Sequence, residues 1–261
     1  MGPSREDLIE HLMATRMAGQ VATPRENNLE HYRRLAQREP HYMFGLNPGP
    51  QWTHDAILDL MARKVGVSPQ LDFRFGVDTI DPECTAAALD RYAARFDKAL
   101  REKQRVFFAT GHPRTLARLY SQLAAALTAA GGTVIESGVG ETYEGHTKFG
   151  RQQLEIDFFQ GVHTVADAGG SIHTHSPKAI RLALAALEKA GEPMPDLVVA
   201  DHGWCGGAAY AGIDAIGFAD CNDPALFVGE EEGTVAVAVP IDDGIEPEEY
   251  DLLGRYILGR A

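Results

Sequence analysis

Short runs made up entirely of apolar residues recur in the second half of the chain and constrain its fold more than any other feature. They are Val-Phe-Phe-Ala at 106–109, Leu-Val-Val-Ala at 197–200 and Ala-Ile-Gly-Phe-Ala at 215–219. Strands that are buried on both faces need no alternation of polar and apolar residues, and they are typical of a parallel sheet covered by helices. The runs therefore predict a parallel sheet that lies between helices.

Further strands and helices are predicted to alternate with these runs. The additional strands fall at 133–136, 156–165 and 234–239, and the helices at 113–129, 177–190, 207–211 and 247–258. Such alternation is the signature of a layered α/β protein. We predict an α/β fold with a Rossmann-like, three-layer, mostly parallel sheet over residues 104–261.

Residues 1–103 have a different pattern. Apolar residues recur at helical spacing in 5–17, and Thr23-Pro24-Arg25-Glu26 has the form of a capping box for a helix at 24–37. Another helix is predicted at 55–64, and Asp81 is placed to cap a long helix that ends near residue 103. We predict a helical N-terminal subdomain over 1–103 that supplies one wall of the site.

Composition limits the partners. The chain has 261 residues and a formal net charge of −13, so the phosphates of a nucleic acid would meet repulsion over most of its surface. No run approaches the roughly 20 apolar residues of a membrane helix, and no signal-peptide pattern is present. Three cysteines without a CxxC pair argue against a disulfide framework. We expect a cytoplasmic protein without nucleic-acid or membrane partners. The composition is compatible with a monomer or a homo-oligomer.

Residues that can bind a metal ion follow the predicted strands. His173 and His175 are two residues apart, so on an extended segment both side chains project to one side and can share an ion. Asp201 and Asp220 come directly after the runs that end at residues 200 and 219. Because the carboxyl ends of strands in one sheet open into one crevice, we predict a metal site formed by His173, His175, Asp201 and Asp220.

The proposed ligand set favours particular ions and a particular chemistry. Imidazole nitrogens together with carboxylate oxygens favour Mn, Zn or Fe, whereas Mg is less well suited. Such an ion lowers the pKa of bound water and polarises a phosphoryl oxygen. We assign catalytic roles to Asp201 and to His202 or His112, because an imidazole can protonate a leaving alkoxide near neutral pH. A structural role for the histidine pair is the alternative.

Turns that contain glycine provide candidate phosphate sites. Such turns at helix starts allow backbone N–H groups to approach an anion. The residues predicted to bind substrate are Thr110, Gly111, Arg114, Gly203, Gly206 and Asn222. In the alternative interpretation, Thr110 or His112 only caps a helix that starts at Pro113, and the glycines serve the backbone turns.

Three neighbouring features have simpler structural interpretations. Asp223 stands before Pro224, which fits the N-cap of a helix. Cys221 has no activating base nearby in the sequence, which is typical of a small buried residue. Asp242-Asp243-Gly244 fits a turn. We therefore predict that these residues lie outside the site.

The motifs resemble a known family. His173-Thr174-His175-Ser176-Pro177, Ala200-Asp201-His202-Gly203-Trp204 and the run 217–224 resemble an actinobacterial family whose members carry the general label phosphatase, and the resemblance covers nearly the whole chain. The order of the His-x-His pair and the later Asp-His pair is also similar to the polymerase-and-histidinol-phosphatase superfamily, in which such pairs bind metal. There the pair opens a barrel-like domain, whereas here it comes late.

These features predict an enzyme of one class and leave two alternatives. The expected function is that of a metal-dependent phosphoric monoester hydrolase that acts on a small phosphorylated metabolite. A sugar-phosphate isomerase or aldolase-like enzyme could use the same anion sites without hydrolysing the ester. A non-catalytic binding protein for a phosphorylated ligand would need the glycine turns but not the histidine pair.

Overall fold

The computed structural model describes residues 2–147 and 150–260. In chain order the strands are β1 (Gly19–Pro24), β2 (Val77–Ile80), β3 (Arg105–Phe108), β4 (Thr133–Val134), β5 (Thr142–Thr147), β6 (Gly150–Phe159), β7 (Val162–Asp167), β8 (Gly170–Ile172), β9 (Leu197–Val199), β10 (Ala215–Ala219) and β11 (Val237–Pro240). The helices are α1 (Arg5–Ala14), α2 (Arg25–Ala36), α3 (His54–Lys64), α4 (Pro82–Arg101), α5 (Ala117–Ala129), α6 (Lys178–Ala190), α7 (His202–Tyr210), α8 (Pro224–Glu231) and α9 (Asp251–Arg260). Short 3-10 helices lie at Pro40–Tyr42 and Pro247–Tyr250.

Five strands form a wholly parallel sheet in the order β11-β10-β9-β3-β4. Numbered along the chain, these strands have the doubly wound order 2-1-3-4-5, which differs from the six-stranded Rossmann order. Every residue of β9, β10 and β11 is buried, in agreement with their apolar sequences. The predicted α/β fold with a parallel sheet is confirmed, and the strand order reverses between β3 and β9.

Helices cover this sheet in two groups. α4, α5 and α9 contact one another, and α4 lies on β11. α6, α7 and α8 form the second group, in which α7 and α8 contact β10. Since α4 comes from the N-terminal part, that part packs directly on the sheet, and buried hydrophobic residues of both parts form one cluster. Within the described residues, no helix is long and apolar enough to cross a membrane.

The prediction of one strand at 156–165 is wrong, because this segment contains parts of two strands joined by a hairpin turn. Gln160 and Gly161 have φ of 49° and 85° and turn the chain between β6 and β7. The hairpin belongs to a separate antiparallel sheet in the order β5-β6-β7-β8. The His173 and His175 segment therefore leaves an antiparallel sheet and not the parallel one.

The antiparallel sheet joins the parallel sheet beside β3. Thr110 N donates to the His163 carbonyl at 2.9 Å, and Thr174 N donates to the Gly111 carbonyl at 3.1 Å. The buried His163 ring stacks on Phe107 with 4.0 Å between ring centroids, and its Nδ1 lies 3.0 Å from the carbonyl oxygen of Phe108. These contacts bring the segment after β8 to the carboxyl edge of the parallel sheet.

The N-terminal part contains α1 to α4, and β1 and β2 form an antiparallel pair that was not predicted. Asp81 caps α4 as predicted, since its Oδ1 accepts from Glu83 N at 2.9 Å. Thr23 does not cap α2. The N-cap position is Pro24, which makes no side-chain cap bond.

A buried ion pair lies within the N-terminal part, and Asn28 connects it to the loop after β10. Arg25 Nη1 lies 3.0 Å from Asp78 Oδ2, and both side chains are almost completely buried. Asn28 Nδ2 donates to the same carboxylate oxygen at 2.9 Å. Cys221 Sγ donates to Asn28 Oδ1 at 3.5 Å, and the thiol is buried as predicted.

Candidate metal centre

The carboxyl ends of four parallel strands and the end of β8 open into one cavity of about 460 Å³, which we call the acidic cavity. The strand ends therefore converge, although β8 belongs to the other sheet. The histidines that line the cavity are His31, His112, His173, His175 and His202, and the aspartates are Asp220, Asp223, Asp242 and Asp243.

Four histidines of the acidic cavity lie in contact with one another. The His112 ring is 4.3 Å from the His173 ring and 4.3 Å from the His202 ring, between centroids. His175 Nε2 lies 3.0 Å from His173 Nε2. Two groups offer ligand atoms that all lie within 4.8 Å of one another: His112 with His173 and His202, and His175 with His202 and Asp223.

A third group consists of Asp220, Asp242 and Asp243, whose carboxylate oxygens also lie within 4.8 Å of one another. All three are buried, with 4%, 4% and 6% of their surface exposed. Burial raises the pKa of Asp220, and the neighbouring Asp242 carboxylate raises it further. Burial likewise raises the pKa of Asp243 well above its usual value, with added repulsion from Asp220 and Asp223.

A divalent cation fits this arrangement. Among the residues that the structure describes, no lysine or arginine lines the acidic cavity. His112 Nδ1 and Asp243 Oδ2 are buried, have no hydrogen-bond partner within residues 2–147 and 150–260, and lie 3.4 Å from each other. Buried charges are normally paired or bound to metal, and these orphaned atoms are of the types that bind Mn, Zn and Fe.

The histidines are electrically suited to bind cations. Burial lowers the pKa of His112 to about 3, with a contribution from His173. Burial also lowers the pKa values of His175 and His202 well below their usual value. These imidazoles are therefore neutral at pH 7, and the neutral form is the one that binds metal.

Comparisons with known proteins place the chain in a family. A family model described as Phosphatase matches residues 3–261. The chain belongs to the Phosphatase family. It is also similar to the protein named Phosphatase SCO2771 of Streptomyces coelicolor, with 48% identity over 262 residues that cover 99% of this chain and 97% of the relative. The predicted resemblance to an actinobacterial phosphatase family is confirmed.

Asp201 was predicted as a metal ligand and catalytic residue. In this member of the Phosphatase family, both of its carboxylate oxygens accept hydrogen bonds from neighbouring residues. Its Oδ2 accepts from Thr110 Oγ1 at 2.5 Å and its Oδ1 accepts from Gly111 N at 2.5 Å. Thr110 Oγ1 in turn accepts from His112 N at 2.8 Å. Asp201 is fully buried and is absent from the three ligand groups of the described residues. Its contacts position His112.

Thr110 and Gly111 lie at the end of β3, but their donors are turned inward to Asp201. The helix that was predicted from Pro113 begins at Ala117, so no helix N-terminus follows the turn directly. A Cβ on Gly111 would lie 2.4 Å from the Thr174 carbonyl oxygen. Glycine is therefore required here by the close approach of the segment that carries His173 and His175.

The other predicted substrate residues are dispersed. Arg114 is exposed and lines a different cavity. Gly203 and Gly206 lie inside α7 and not in a loop, where added Cβ atoms would lie 2.3 Å from the carbonyl oxygens of His175 and Phe44. Asn222 does line the acidic cavity, and its backbone carbonyl lies 2.8 Å from His31 Nδ1.

The prediction that Asp223 is only an N-cap is wrong. Its side chain makes no cap bond, and Oδ2 lies 2.9 Å from His202 Nε2. Asp242 and Asp243 do lie at a turn, but they are buried and face the acidic cavity. A signal was present in the sequence, because these residues follow a strand end just as Asp201 and Asp220 do.

The N-terminal part also contributes residues that were not predicted. Thr23 Oγ1 donates to Asp220 Oδ2 at 2.5 Å, and His31 lines the cavity. His41 stacks on His175 with 4.3 Å between ring centroids. Residues of the N-terminal part thus line one side of the acidic cavity.

Proposed function

We propose that this protein is a metal-dependent phosphomonoester hydrolase that acts on a small phosphorylated metabolite. Membership of the Phosphatase family and the name of the Streptomyces relative support phosphate-ester hydrolysis. The histidine and aspartate groups support dependence on a divalent metal. The free thiols of Cys84, Cys205 and Cys221 agree with a reducing cytoplasm as its location.

One observation carries the proposal. Asp220, Asp223, Asp242 and Asp243 are buried in one cavity that no lysine or arginine of the described residues enters. Such a cavity repels a phosphate unless a cation offsets the carboxylate charges. The need for a cation and the binding of a phosphoryl group therefore have a common explanation.

Different parts of the cavity suit different ions. His112, His173, His175 and His202 supply nitrogen ligands, which favour Mn, Zn or Fe. Asp220, Asp242 and Asp243 supply oxygen ligands alone, which suit a harder ion such as Mn or Mg. Because the aspartate group shares no residue with the two histidine groups, we propose that the cavity holds more than one ion and that Mn satisfies all of them.

When bound, such an ion polarises a phosphoryl oxygen and lowers the pKa of bound water. The residues of the chain hold and orient the side chains that would bind the ion. His202 is oriented by Asp223, and His112 is oriented by the backbone contact to Thr110 that Asp201 holds in place. Since burial lowers the pKa of His112 to about 3, we assign His112 and His202 to binding the ion and not to general acid catalysis.

Removal and return of the metal test this function. Chelated and dialysed protein is assayed for phosphate release from a panel of phosphomonoesters, with Mn, Zn, Fe or Mg added in turn. We expect release to be lost on chelation and restored by Mn or another transition ion. Hydrolysis that survives full chelation contradicts the metal dependence. Isomerisation of a sugar phosphate without phosphate release supports the isomerase alternative, and tight binding without turnover supports the binding protein.

A further inference from the structure

A second cavity opens beside the acidic cavity and carries the opposite charge. It has a volume of about 750 Å³, and we call it the basic cavity. Both cavities are lined by His173 and His175. The charged residues of its lining are Glu144, Arg151, Lys178 and Arg181. The His173 and His175 segment therefore separates a cavity rich in carboxylates from a cavity rich in cations.

Two of the three cations lack a carboxylate partner. Arg151 Nη1 lies 3.1 Å from Glu144 Oε1, so these two charges offset each other. Lys178 Nζ donates only to the backbone carbonyl of Glu144, at 2.9 Å, and Arg181 Nη2 to that of Gly45, at 3.4 Å. Within residues 2–147 and 150–260, no carboxylate forms an ion pair with Lys178 or Arg181.

These two charges are distinguished by their position. The chain has a net charge of −13, whereas the lining of the basic cavity carries more cations than carboxylates. Lys178 and Arg181 both lie in the first turn of α6, which begins directly after His175-Ser176-Pro177. The fold therefore places two cations without a carboxylate partner three and six residues after His175, and such cations attract an anion that enters the basic cavity.

We propose that the basic cavity binds a second anionic group of the substrate. The substrate class is then a phosphate monoester whose alcohol portion carries a carboxylate or a second phosphate. This inference rests on the proposed function for the identity of the first phosphate, but the binding of the second anion does not depend on turnover. A volume of about 750 Å³ lies within the range of cavities that bind small metabolites.

The N-terminal part supplies another wall of the basic cavity. Pro40, His41 and Met43 close the basic cavity on the side of the N-terminal part. His41 stacks on His175, so this wall is in contact with the metal-binding segment. A substrate that spans both cavities has its phosphate at the acidic cavity and its second anion near Lys178 and Arg181.

Binding of two non-hydrolysable probes tests the inference. Phosphonobutyrate carries a phosphonate and a carboxylate, whereas butylphosphonate of similar length lacks the carboxylate. Both are titrated by calorimetry into Mn-loaded wild-type protein, the double variant Lys178→Met/Arg181→Met, and Lys189→Met. Lys189 is a matched control, because it is an exposed lysine at the far end of the same helix and lines neither cavity.

The wild type and Lys189→Met are expected to bind phosphonobutyrate about ten-fold more tightly than butylphosphonate. The double variant is expected to lose most of this difference without a change in its affinity for butylphosphonate. Equal affinity for both probes in the wild type, no binding of phosphonobutyrate, or a preference that persists in the double variant overturns the proposal. Thermal unfolding of the three proteins shows whether the exposed substitutions leave the fold intact.

Turnover separates this inference from the proposed function and identifies the second anion. Phosphoglycerate is compared with glycerol phosphate, and a hexose bisphosphate with a hexose monophosphate. In each pair we expect a higher kcat/KM for the member with the extra carboxylate or the extra phosphate. The pair with the larger ratio of kcat/KM values shows which of the two groups the basic cavity binds. Preferential probe binding without hydrolysis of any ester leaves the anion site standing and removes the hydrolase. Hydrolysis with equal kcat/KM within both pairs supports the hydrolase and overturns the second anion site.

Discussion

His202 and Asp223 are joined by a buried hydrogen bond, with 2.9 Å between Nε2 and Oδ2. His202 begins α7 with a φ of 43°, a left-handed value that residues other than glycine seldom adopt. Strain of this kind persists where the surroundings enforce it, and it clusters at functional sites. The bond links the ends of β9 and β10, and the same nitrogen lies 3.7 Å from Asp243 Oδ2, so Nε2 of His202 faces the carboxylates of the acidic cavity.

Asp223→Asn keeps the shape of this side chain and removes its charge. Partners that orient a metal-binding histidine typically contribute 10–100-fold to metal affinity, so we expect a loss of about that size for Mn. The metal-free variant should be at least as stable as the wild type, because burial raises the pKa of Asp223 and its charge is unfavourable without a cation. Competition with a chelating dye and thermal unfolding measure the two effects. Unchanged Mn affinity contradicts the role of Asp223.

Gly111→Ala tests the contact that holds the histidine segment in place. The added Cβ would lie 2.4 Å from the Thr174 carbonyl oxygen and 2.9 Å from His202 Nδ1. Because two backbone segments meet here, the substitution should cost on the order of 1–3 kcal/mol in the free energy of unfolding and weaken metal binding. Denaturant unfolding and metal titration measure these effects.

Gly169→Ala is the control for the Gly111 variant. Its Cβ would meet only the Asp167 side chain, at 3.1 Å, which can move. A result in which both glycine variants behave alike shows that the approach of Gly111 to Thr174 is not critical.

The stability of the metal-free protein should fall as pH rises through neutrality. Burial raises the pKa of Asp201 to about 7, although its bonds with Thr110 and Gly111 act in the opposite direction. Such a group stabilises the folded state fully below its unfolded pKa of about 4, and this stabilisation is lost as pH rises through about 7. The buried histidines have lowered pKa values, so their contribution is already present above about pH 6.5.

Thermal unfolding between about pH 7 and pH 8 measures this effect, because histidines of the unfolded chain are already mostly neutral there. The midpoint of the chelated protein should decrease across the window, whereas the gain on adding Mn should increase, because the ion displaces protons from the carboxylates. A midpoint of the chelated protein that rises with pH in this window contradicts the assignment of raised carboxyl pKa values.

Arg25→Ala tests the buried ion pair of the N-terminal part, whose Asp78 carboxylate also binds Asn28. The substitution leaves the buried Asp78 carboxylate without its cation, and removal of one partner of a buried ion pair typically costs 3–5 kcal/mol. We expect a loss of about this size in the free energy of unfolding, measured with denaturant. Arg33→Ala removes a surface arginine paired with Glu30 and should change stability little. Equal effects of the two substitutions contradict the role of the buried pair.

The parallel sheet could be predicted because its strands are apolar throughout. The run 215–219 matches β10 residue for residue, and 197–200 matches β9 to within one residue. The hairpin of β6 and β7 was missed because Phe158 and Phe159 continue directly into Gln160-Gly161-Val162, so the turn is hidden in an apolar run. A turn of two residues leaves little trace when both flanking strands are apolar.

The site could be predicted only in part, because local and distant partners leave the same pattern in the sequence. Thr23 and Asp223 both precede a helix, and both were interpreted as helix caps. In the structure, Thr23 instead donates to Asp220 and Asp223 bonds with His202. A polar residue before a helix satisfies either interpretation, and only the tertiary fold decides which partner it has.

Metal content measured on protein prepared without chelators tests the central claim most directly. Elemental analysis is applied to the wild type, His173→Ala and His54→Ala, a histidine paired with Asp55 at the surface and outside the acidic cavity. We predict at least about one divalent transition ion per chain in the wild type and in His54→Ala. His173→Ala should lose most of this metal and retain its fold. Wild-type protein that holds no stoichiometric ion and gains none from added Mn or Zn, or a folded His173→Ala variant with unchanged metal content, would contradict the account.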